Sequence, residues 1–269
     1  MPYPEHMEMF VPVGPKRAFE GVVTQIAEQI RLGEFSEGDR LPTERELSTA
    51  LQVSRATLRD AVRVLADAGV VTVRSGSAGG IFVASGYVPF ELLRSKTDMG
   101  LDEVAGVLEA RRLFEPRVAQ LAAANAREAD FVLMQQTIDE QKALVASGDL
   151  PANVDRFLQY GAQFHARMAA ATGNTTIVAA MRLLLRELEA ARSMTIRETP
   201  FVPDFTIQIH EETLAAIRSA DQQRVDIVMD EHLGAMERAW ERQTGRRLVR
   251  PIPDFLRPLA DRAPAGTAA

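Results

Sequence analysis

Three of the four histidines in the chain, His165, His210 and His232, lie in its second half. Imidazole binds divalent metals near neutral pH, because much of it is then unprotonated. Each of the three falls on a different predicted helix, and a helical bundle can bring three imidazoles to one point in its core. Such a group suits zinc, nickel or a related borderline metal. The alternative interpretation is three unrelated histidines, each in the core or on the surface.

A second group of candidate residues lies near the N-terminus. Arg55 and Arg59 are four residues apart, so they share one face of a predicted helix. A guanidinium group can donate paired hydrogen bonds to O6 and N7 of guanine, or to a phosphate. Arg45, at the start of the preceding helix, is placed to join them, and Ser54 and Thr57 add short hydroxyl donors suited to phosphate. The alternative is a set of ordinary exposed arginines on a small helical domain.

The elements that would position these arginines are three helices and a β-hairpin within residues 16–85. Thr43 and Ser54 are placed to cap the second and third helices, and Gly69 is placed to end the third. Two β-branched segments then flank a glycine-rich loop that includes Gly76. This order predicts a winged helix-turn-helix, whose second motif helix enters the major groove of DNA. The loop glycines allow close backbone approach to the minor groove.

The rest of the chain predicts helices alone. Helical patterns fill most of residues 97–246 and predict an all-α bundle of six or seven helices. Residues 1–15 predict a flexible leader, residues 86–96 a linker and residues 247–269 a disordered tail, since these segments contain proline or glycine and lack helical spacing. The expected fold is therefore mostly α, with an N-terminal winged helix-turn-helix and a C-terminal helical bundle.

Composition narrows the class of protein. The 269 residues include no cysteine, which excludes disulfide and thiolate chemistry and agrees with a cytoplasmic protein. No apolar run approaches the ~20 residues of a membrane helix, so we expect no membrane partner. The net charge is −6, but residues 16–85 hold nine basic and nine acidic residues and are neutral. DNA affinity must therefore depend on a few basic side chains at specific positions rather than on the net charge of the domain.

The segment LPTERELSTALQVSRATLRDAVRVLADAGVVTVRSGSAGGIFVA resembles the DNA-binding domain of the GntR family of bacterial regulators. The LP-x-ER-x-L turn, the V-S-R-x-T-x-R helix and the glycine-rich wing occur in the family's order. The resemblance implies that Arg45, Arg55 and Arg59 contact operator bases or backbone. It also implies that Gly76 lies near the minor groove, and that a homodimer binds a short palindromic operator in double-stranded DNA.

The helical part resembles the FadR-type C-terminal domain, the effector-binding domain of one GntR subfamily. The resemblance rests on the segment from Glu109 to Pro116 and on FHARMAAATGN, which begins at Phe164. Arg111 and its neighbour are consecutive, so only one of the two is expected to face the bundle interior. The resemblance implies that Arg111 does so and pairs with the carboxylate of a small-molecule effector. A salt bridge from Arg111 to Glu109 or Glu115 is the alternative.

Many FadR-type domains bind a divalent metal with one Asp and three His, and His165, His210 and His232 fall at the matching positions. The family's Asp precedes the first His by four residues, where this chain has Gly161. A metal would then keep three protein ligands, with water or an effector carboxylate completing its coordination. Two alternatives follow. Either the histidines hold a zinc- or nickel-class ion, or the site has degenerated and the effector alone fills the cavity.

These observations predict a transcription regulator that responds to a small organic acid and is not an enzyme. Repression is the commoner behaviour in families of this kind. The alternative is a metal-dependent enzyme or metal carrier that retains a vestigial helix-turn-helix. A hydrolase would need a carboxylate base near the metal. Glu211 follows His210 but points about 100° away around the helix, which counts against an enzyme.

Overall fold

The computed structural model describes the ranges 15–76, 79–93, 100–195 and 202–248. The chain divides into two compact units, residues 1–93 and residues 94–269. Most of the predicted leader (residues 1–14), part of the predicted linker (residues 94–99) and most of the predicted tail (residues 249–269) lie outside the described residues.

The first unit is a winged helix-turn-helix. Its elements are α1 (Pro15–Arg31), α2 (Glu44–Ala50), α3 (Arg55–Asp67) and an antiparallel pair, β1 (Val71–Arg74) and β2 (Gly80–Val83). Thr43 caps α2 in a capping box, because its backbone N–H donates to Glu46 Oε2 at 2.8 Å and its own side chain accepts from the Glu46 N–H. Ser54 caps α3 by accepting from the Thr57 N–H at 3.0 Å. Gly69 follows α3 with a φ of +72°, the left-handed conformation that ends a helix.

One apolar core joins α1, α3 and the hairpin. The inward face of α3 consists of Leu58, Ala61, Val62 and Leu65. The opposite face leaves Arg55 and Arg59 exposed. Val88 and Leu93 pack on the same core. Residues 86–93, assigned to the linker from sequence, thus belong to the packed first unit, because their apolar side chains are covered there; the unit extends to residue 93 rather than ending at 85.

The second unit is an all-α bundle, as predicted. Six α-helices form most of its described part: α4 (Leu101–Asn125), α5 (Glu128–Ala146), α6 (Val154–Ala170), α7 (Thr175–Thr195), α8 (Pro203–Ser219) and α9 (Gln222–Thr244). A short 3-10 helix (Leu150–Ala152) precedes α6. Helix α4 contacts α6, α7, α8 and α9 and so forms the centre of the bundle. No helix in the described ranges is long and apolar enough to cross a membrane.

The central position of α4 corrects one expectation about its arginines. Arg111 and Arg112 are both buried, although only one was expected to face inward. Arg112 turns toward α9, where Nε and Nη2 each donate to Glu237 at 2.6 Å and Nη1 pairs with Asp230. Arg111 points into the bundle, where it binds Glu115 of its own helix and its Nη1 lies 3.3 Å from Met236 Sδ of α9. Because helices cover α4 on several sides, both neighbouring side chains can be enclosed.

Candidate nucleic-acid interface and metal centre

The bundle brings together the three histidines singled out from the sequence. His165 lies on α6, His210 on α8 and His232 on α9, and their candidate ligand nitrogens all lie within 4.8 Å of one another. Their exposed fractions are 2%, 3% and 8%. Three histidines from three helices thus lie close enough together to serve as joint ligands of a divalent metal.

Gln141 orients His210. Its Oε1 atom lies 2.9 Å from His210 Nδ1, and its amide Nε2 donates to the carbonyl of Phe157 at 3.2 Å. Since an amide oxygen can only accept, His210 Nδ1 carries the proton and the lone pair is on Nε2. Phe164 stacks on the same imidazole, with ring centres 4.6 Å apart. The ring is thereby held in one orientation and one tautomer.

Thr213 orients the ring of His232. Its hydroxyl donates to the carbonyl of Ile209 at 2.7 Å, and the same oxygen lies 3.1 Å from His232 Nδ1. The hydroxyl proton is used on the carbonyl, so the oxygen accepts from Nδ1–H. His232 therefore also has its lone pair on Nε2. A polar partner on the nitrogen away from the metal is the usual companion of a metal-binding histidine.

Glu115 is the partner of His165. Its Oε2 lies 2.8 Å from His165 Nδ1, an ion-pair distance. Its Oε1 accepts from Arg111 Nε at 2.5 Å. Burial raises the pKa of Glu115, but the Arg111 guanidinium, together with the adjacent His165 imidazole, outweighs burial and holds this pKa well below its ordinary range. The ionised carboxylate of Glu115 therefore lies beside Nδ1 of the His165 imidazole.

This role of Glu115 was missed from the sequence, where it was considered only as an alternative partner of Arg111. That salt bridge is present, so the one arginine proposed to hold the effector already has a buried counter-ion. The contact between Glu115 and His165 joins residues on α4 and α6 that are 50 positions apart. A motif within one helix could not have indicated it.

Gly161 borders the histidine cluster. A Cβ atom at this position would lie 3.4 Å from His210 Cε1 and 3.4 Å from Gln141 Nε2. The position at which the resembled family has aspartate is thus next to the imidazoles, but here it has no side chain. Within the described ranges, the ligand group consists of three histidines and includes no carboxylate.

A cavity of about 430 Å³ adjoins the cluster. Arg111, His210 and His232 line it together with apolar side chains that include Leu108 and Trp240. Small-molecule sites are commonly of this size and character, with a mostly apolar wall and a few polar groups. A ligand in this cavity would reach two of the three histidines directly.

On the first unit, the predicted arginines share an exposed surface. Arg55 and Arg59 occupy the solvent face of α3, and Arg45 is exposed on α2. Arg59 Nε donates to Glu44 Oε2 at 2.9 Å, and its side chain remains 62% exposed. Arg45 and Arg55 form no side-chain hydrogen bond or salt bridge with any residue that the structure describes. Two of the three guanidinium groups are therefore uncommitted within that part of the chain.

The smaller predicted contacts are placed as follows. The hydroxyls of Ser54 and Thr57 lie 2.8 Å apart at the start of α3, where they take part in capping. Gly76 is exposed in the wing with a φ of +100°, a conformation that favours glycine. Residues 77 and 78 of the wing lie outside the described ranges.

Arg40 is a candidate DNA contact that was missed from the sequence. It forms a β-bridge with Phe82, and its Nη2 donates to the carbonyl of Gly79 at 2.7 Å. The guanidinium groups of Arg40 and Arg74 lie 6.0 and 4.4 Å from the centre of the Phe82 ring. A Cβ atom on Gly80 would lie 2.8 Å from Arg40 Nε, so this close approach requires glycine. Two exposed cations are thus held together at the base of the wing.

Comparisons with known proteins agree with both units. The model described as "Bacterial regulatory proteins, gntR family" matches residues 19–83, and the FCD domain model matches residues 106–235. The "HTH-type transcriptional repressor NanR" of Klebsiella aerogenes is 28% identical over 233 residues, which cover 85% of this chain and 87% of that protein. NanR of Edwardsiella tarda is 29% identical with the same coverage. A solved structure, "Streptococcus agalactiae GntR", is 25% identical with a TM-score of 0.44, covering 82% of this chain and 99% of that chain. The chain belongs to the GntR family of bacterial regulatory proteins, in the branch with a FadR-type (FCD) C-terminal domain.

Proposed function

We propose that the protein is a transcriptional repressor that binds a palindromic operator as a homodimer in the cytoplasm. A small organic acid, together with a divalent metal in the helical unit, controls this binding. The observation that carries the proposal is the combination of an exposed arginine face on a winged helix-turn-helix with a cavity beside three buried histidines. The relatives named as repressors support the direction of regulation.

DNA reading rests on Arg45, Arg55 and Arg59. Residues 16–85 carry no net charge to attract phosphate, so these side chains provide most of the local attraction. Arg59 is paired with Glu44 in the protein by itself, and a guanine edge or a phosphate would take the place of this carboxylate. Arg45 and Arg55 have no ion pair with a described residue that DNA would have to displace.

The histidine cluster fits a zinc- or nickel-class ion. His210 and His232 have their lone pairs on Nε2, and Gln141 and Thr213 hold these rings in place. With three neutral ligands, the bound ion would keep its full positive charge and supply a Lewis-acidic site for an anionic oxygen. The apolar cavity wall would exclude water and orient the rest of the effector. Regulation follows if the effector binds more tightly to one arrangement of the DNA-binding units than to another.

The described carboxylates near the cluster do not favour the alternative of a metal-dependent enzyme. Glu211 pairs with Lys142 at the surface and is 44% exposed. Glu115 is fully buried and is bound to both Arg111 and His165. Neither is placed to activate a water molecule in the cavity. We therefore propose that the protein is a regulator without enzymatic activity.

Selection from a random double-stranded DNA library tests the DNA-binding half. We expect wild-type protein to enrich a palindromic sequence, and Arg55→Ala or Arg59→Ala to weaken binding to that sequence by about 1–3 kcal/mol per lost contact in fluorescence anisotropy. Arg63→Ala is the matched control, because Arg63 is an exposed arginine of α3 that pairs with Asp60. Failure to enrich any sequence, or equal losses for all three variants, would contradict the proposal.

Metal analysis tests the effector half. We expect purified full-length protein to hold about one equivalent of zinc or nickel after dialysis, and His210→Ala to lose it. His6→Ala serves as the control for loss of a histidine elsewhere. A thermal-shift screen of small carboxylates, with and without metal, then identifies ligands, because a ligand of the native state raises its melting temperature. Wild-type protein that retains no metal and responds to no carboxylate would overturn this half of the proposal.

A further inference from the structure

The charges around the cavity do not balance. Three arginines line it, namely Arg111, Arg238 and Arg242, and none of the described lining residues is acidic. Arg111 has its counter-ion in Glu115. Arg238 and Arg242 are one turn apart on α9, are exposed, and form no hydrogen bond or salt bridge with any residue in the described ranges. The uncompensated cations of the cavity are therefore these two, and not Arg111.

Arg238 has no acid of its own among the described residues. A Cβ atom on Gly234 would lie 2.7 Å from Arg238 Nη1 and 3.5 Å from Arg112 Nη2, so both guanidinium groups approach the same point of α9. The acids there, Asp230 and Glu237, are bound by Arg112. Arg238 forms an ion pair with neither of them, and an oxyanion at the edge of the cavity would give it a partner.

From these observations we infer that the effector is a small diacid. Its first carboxylate binds at the histidine cluster, and its second oxyanion, carboxylate or phosphate, binds to Arg238 and Arg242. The inference rests on the proposed function, which assigns the first acid group.

Matched pairs of acids test the inference on zinc-loaded full-length protein at constant ionic strength. The diacids are propanedioate to hexanedioate, each compared by calorimetry with the monocarboxylate of equal chain length. Phosphoglycolate and glycolate form a further pair that distinguishes a second phosphate from a second carboxylate. We expect at least one diacid to bind on the order of tenfold tighter than its partner, since charged hydrogen bonds to a second group are added.

Variants assign this gain to residues. The double variant Arg238→Gln/Arg242→Gln should remove the gain and leave the affinity for the monoacid unchanged. Gly234→Ala keeps both charges but displaces the Arg238 guanidinium, and should reduce the gain in part. Arg224→Gln, an exposed arginine near the start of α9 that does not line the cavity, is the control and should bind like wild type.

The outcomes separate this inference from the proposed function. Equal affinities for the diacid and the monoacid of every pair would overturn the inference, and so would a diacid preference that persists in the double variant. Either result would leave the proposal of a monoacid effector standing. No binding by any acid of either kind would contradict the proposed organic-acid effector itself. Circular dichroism of each variant shows whether a loss of binding reflects unfolding.

Discussion

Oε2 of Glu115 lies 2.8 Å from Nδ1 of His165, and both side chains are at least 98% buried. The same carboxylate accepts from Arg111 Nε at 2.5 Å. Glu115 therefore forms ion pairs with both Arg111 and His165, which is one of the histidines of the candidate metal site. Arg111, which the sequence assigned to the effector, binds the carboxylate that lies beside the His165 ring.

Glu115→Gln should weaken zinc binding by about 10–100-fold, the usual effect of removing a partner that orients a ligand histidine. It should also lower the free energy of unfolding by about 3–5 kcal/mol, because Arg111 would be left buried without a counter-ion. Competition with a chromophoric chelator measures the zinc affinity, and urea unfolding of the metal-free protein measures the stability. Glu211→Gln, at an exposed glutamate beside His210, should change neither quantity appreciably. Unchanged zinc affinity in Glu115→Gln would show that Glu115 serves Arg111 alone.

Two substitutions at Gly161 should separate helix stability from metal binding. Gly161→Ala should stabilise the protein by about 1 kcal/mol, since glycine in a helix interior is costly and the new Cβ would meet its neighbours at ordinary contact distance, 3.4 Å. Its zinc affinity should equal that of wild type. Gly161→Asp places a carboxylate next to the His210 ring and should raise zinc affinity at least about tenfold by adding an anionic ligand. The chelator competition measures both variants, and an aspartate variant no tighter than the alanine variant would contradict this account.

Arg40→Gln should weaken binding to the selected operator and reduce the slope of log K against log salt by about 1, the effect of one lost phosphate contact. Arg40→Lys should restore the slope only in part, because lysine lacks the planar fork that bonds Gly79 and lies over Phe82. Anisotropy titrations at several salt concentrations provide the measurement. Arg63→Gln, which also removes one exposed arginine of the first unit, is the control; the same loss of slope there would remove any special role for Arg40.

Arg112→Met should lower the free energy of unfolding of the bundle by about 2 kcal/mol. It removes the ion pairs between α4 and α9 and leaves Glu237 half-buried without a partner, while Asp230 at 39% exposure regains water. Urea unfolding followed by the fluorescence of Trp240, the single tryptophan, measures the change. Lys142→Met removes an exposed ion pair between α5 and α8 and should cost less than about 1 kcal/mol. Equal effects of the two substitutions would mean that the α4–α9 pairs contribute no more than a surface pair.

Features that depend on neighbouring residues could be predicted from the amino-acid sequence. The capping box of Thr43 and Glu46, the cap at Ser54 and the left-handed Gly69 each involve contacts within a few positions, so their residue types predict the local structure. The periods of apolar residues likewise predicted the helices of both units, because one face of each must be buried. The residue type of the three histidines and their places on three predicted helices singled them out, and the family resemblance implied that they share one metal site.

Contacts between side chains on different helices and strands could not be predicted from the sequence and follow from the packing of the fold. Arg40 lies 39 residues from Gly79, and Glu115 lies 50 residues from His165, so no local pattern records either contact. The fold also decided that Arg111 has a buried counter-ion while Arg238 has none among the described residues. Charge balance at a site depends on distances in space, and these follow from how the helices pack rather than from the order of residues along the chain.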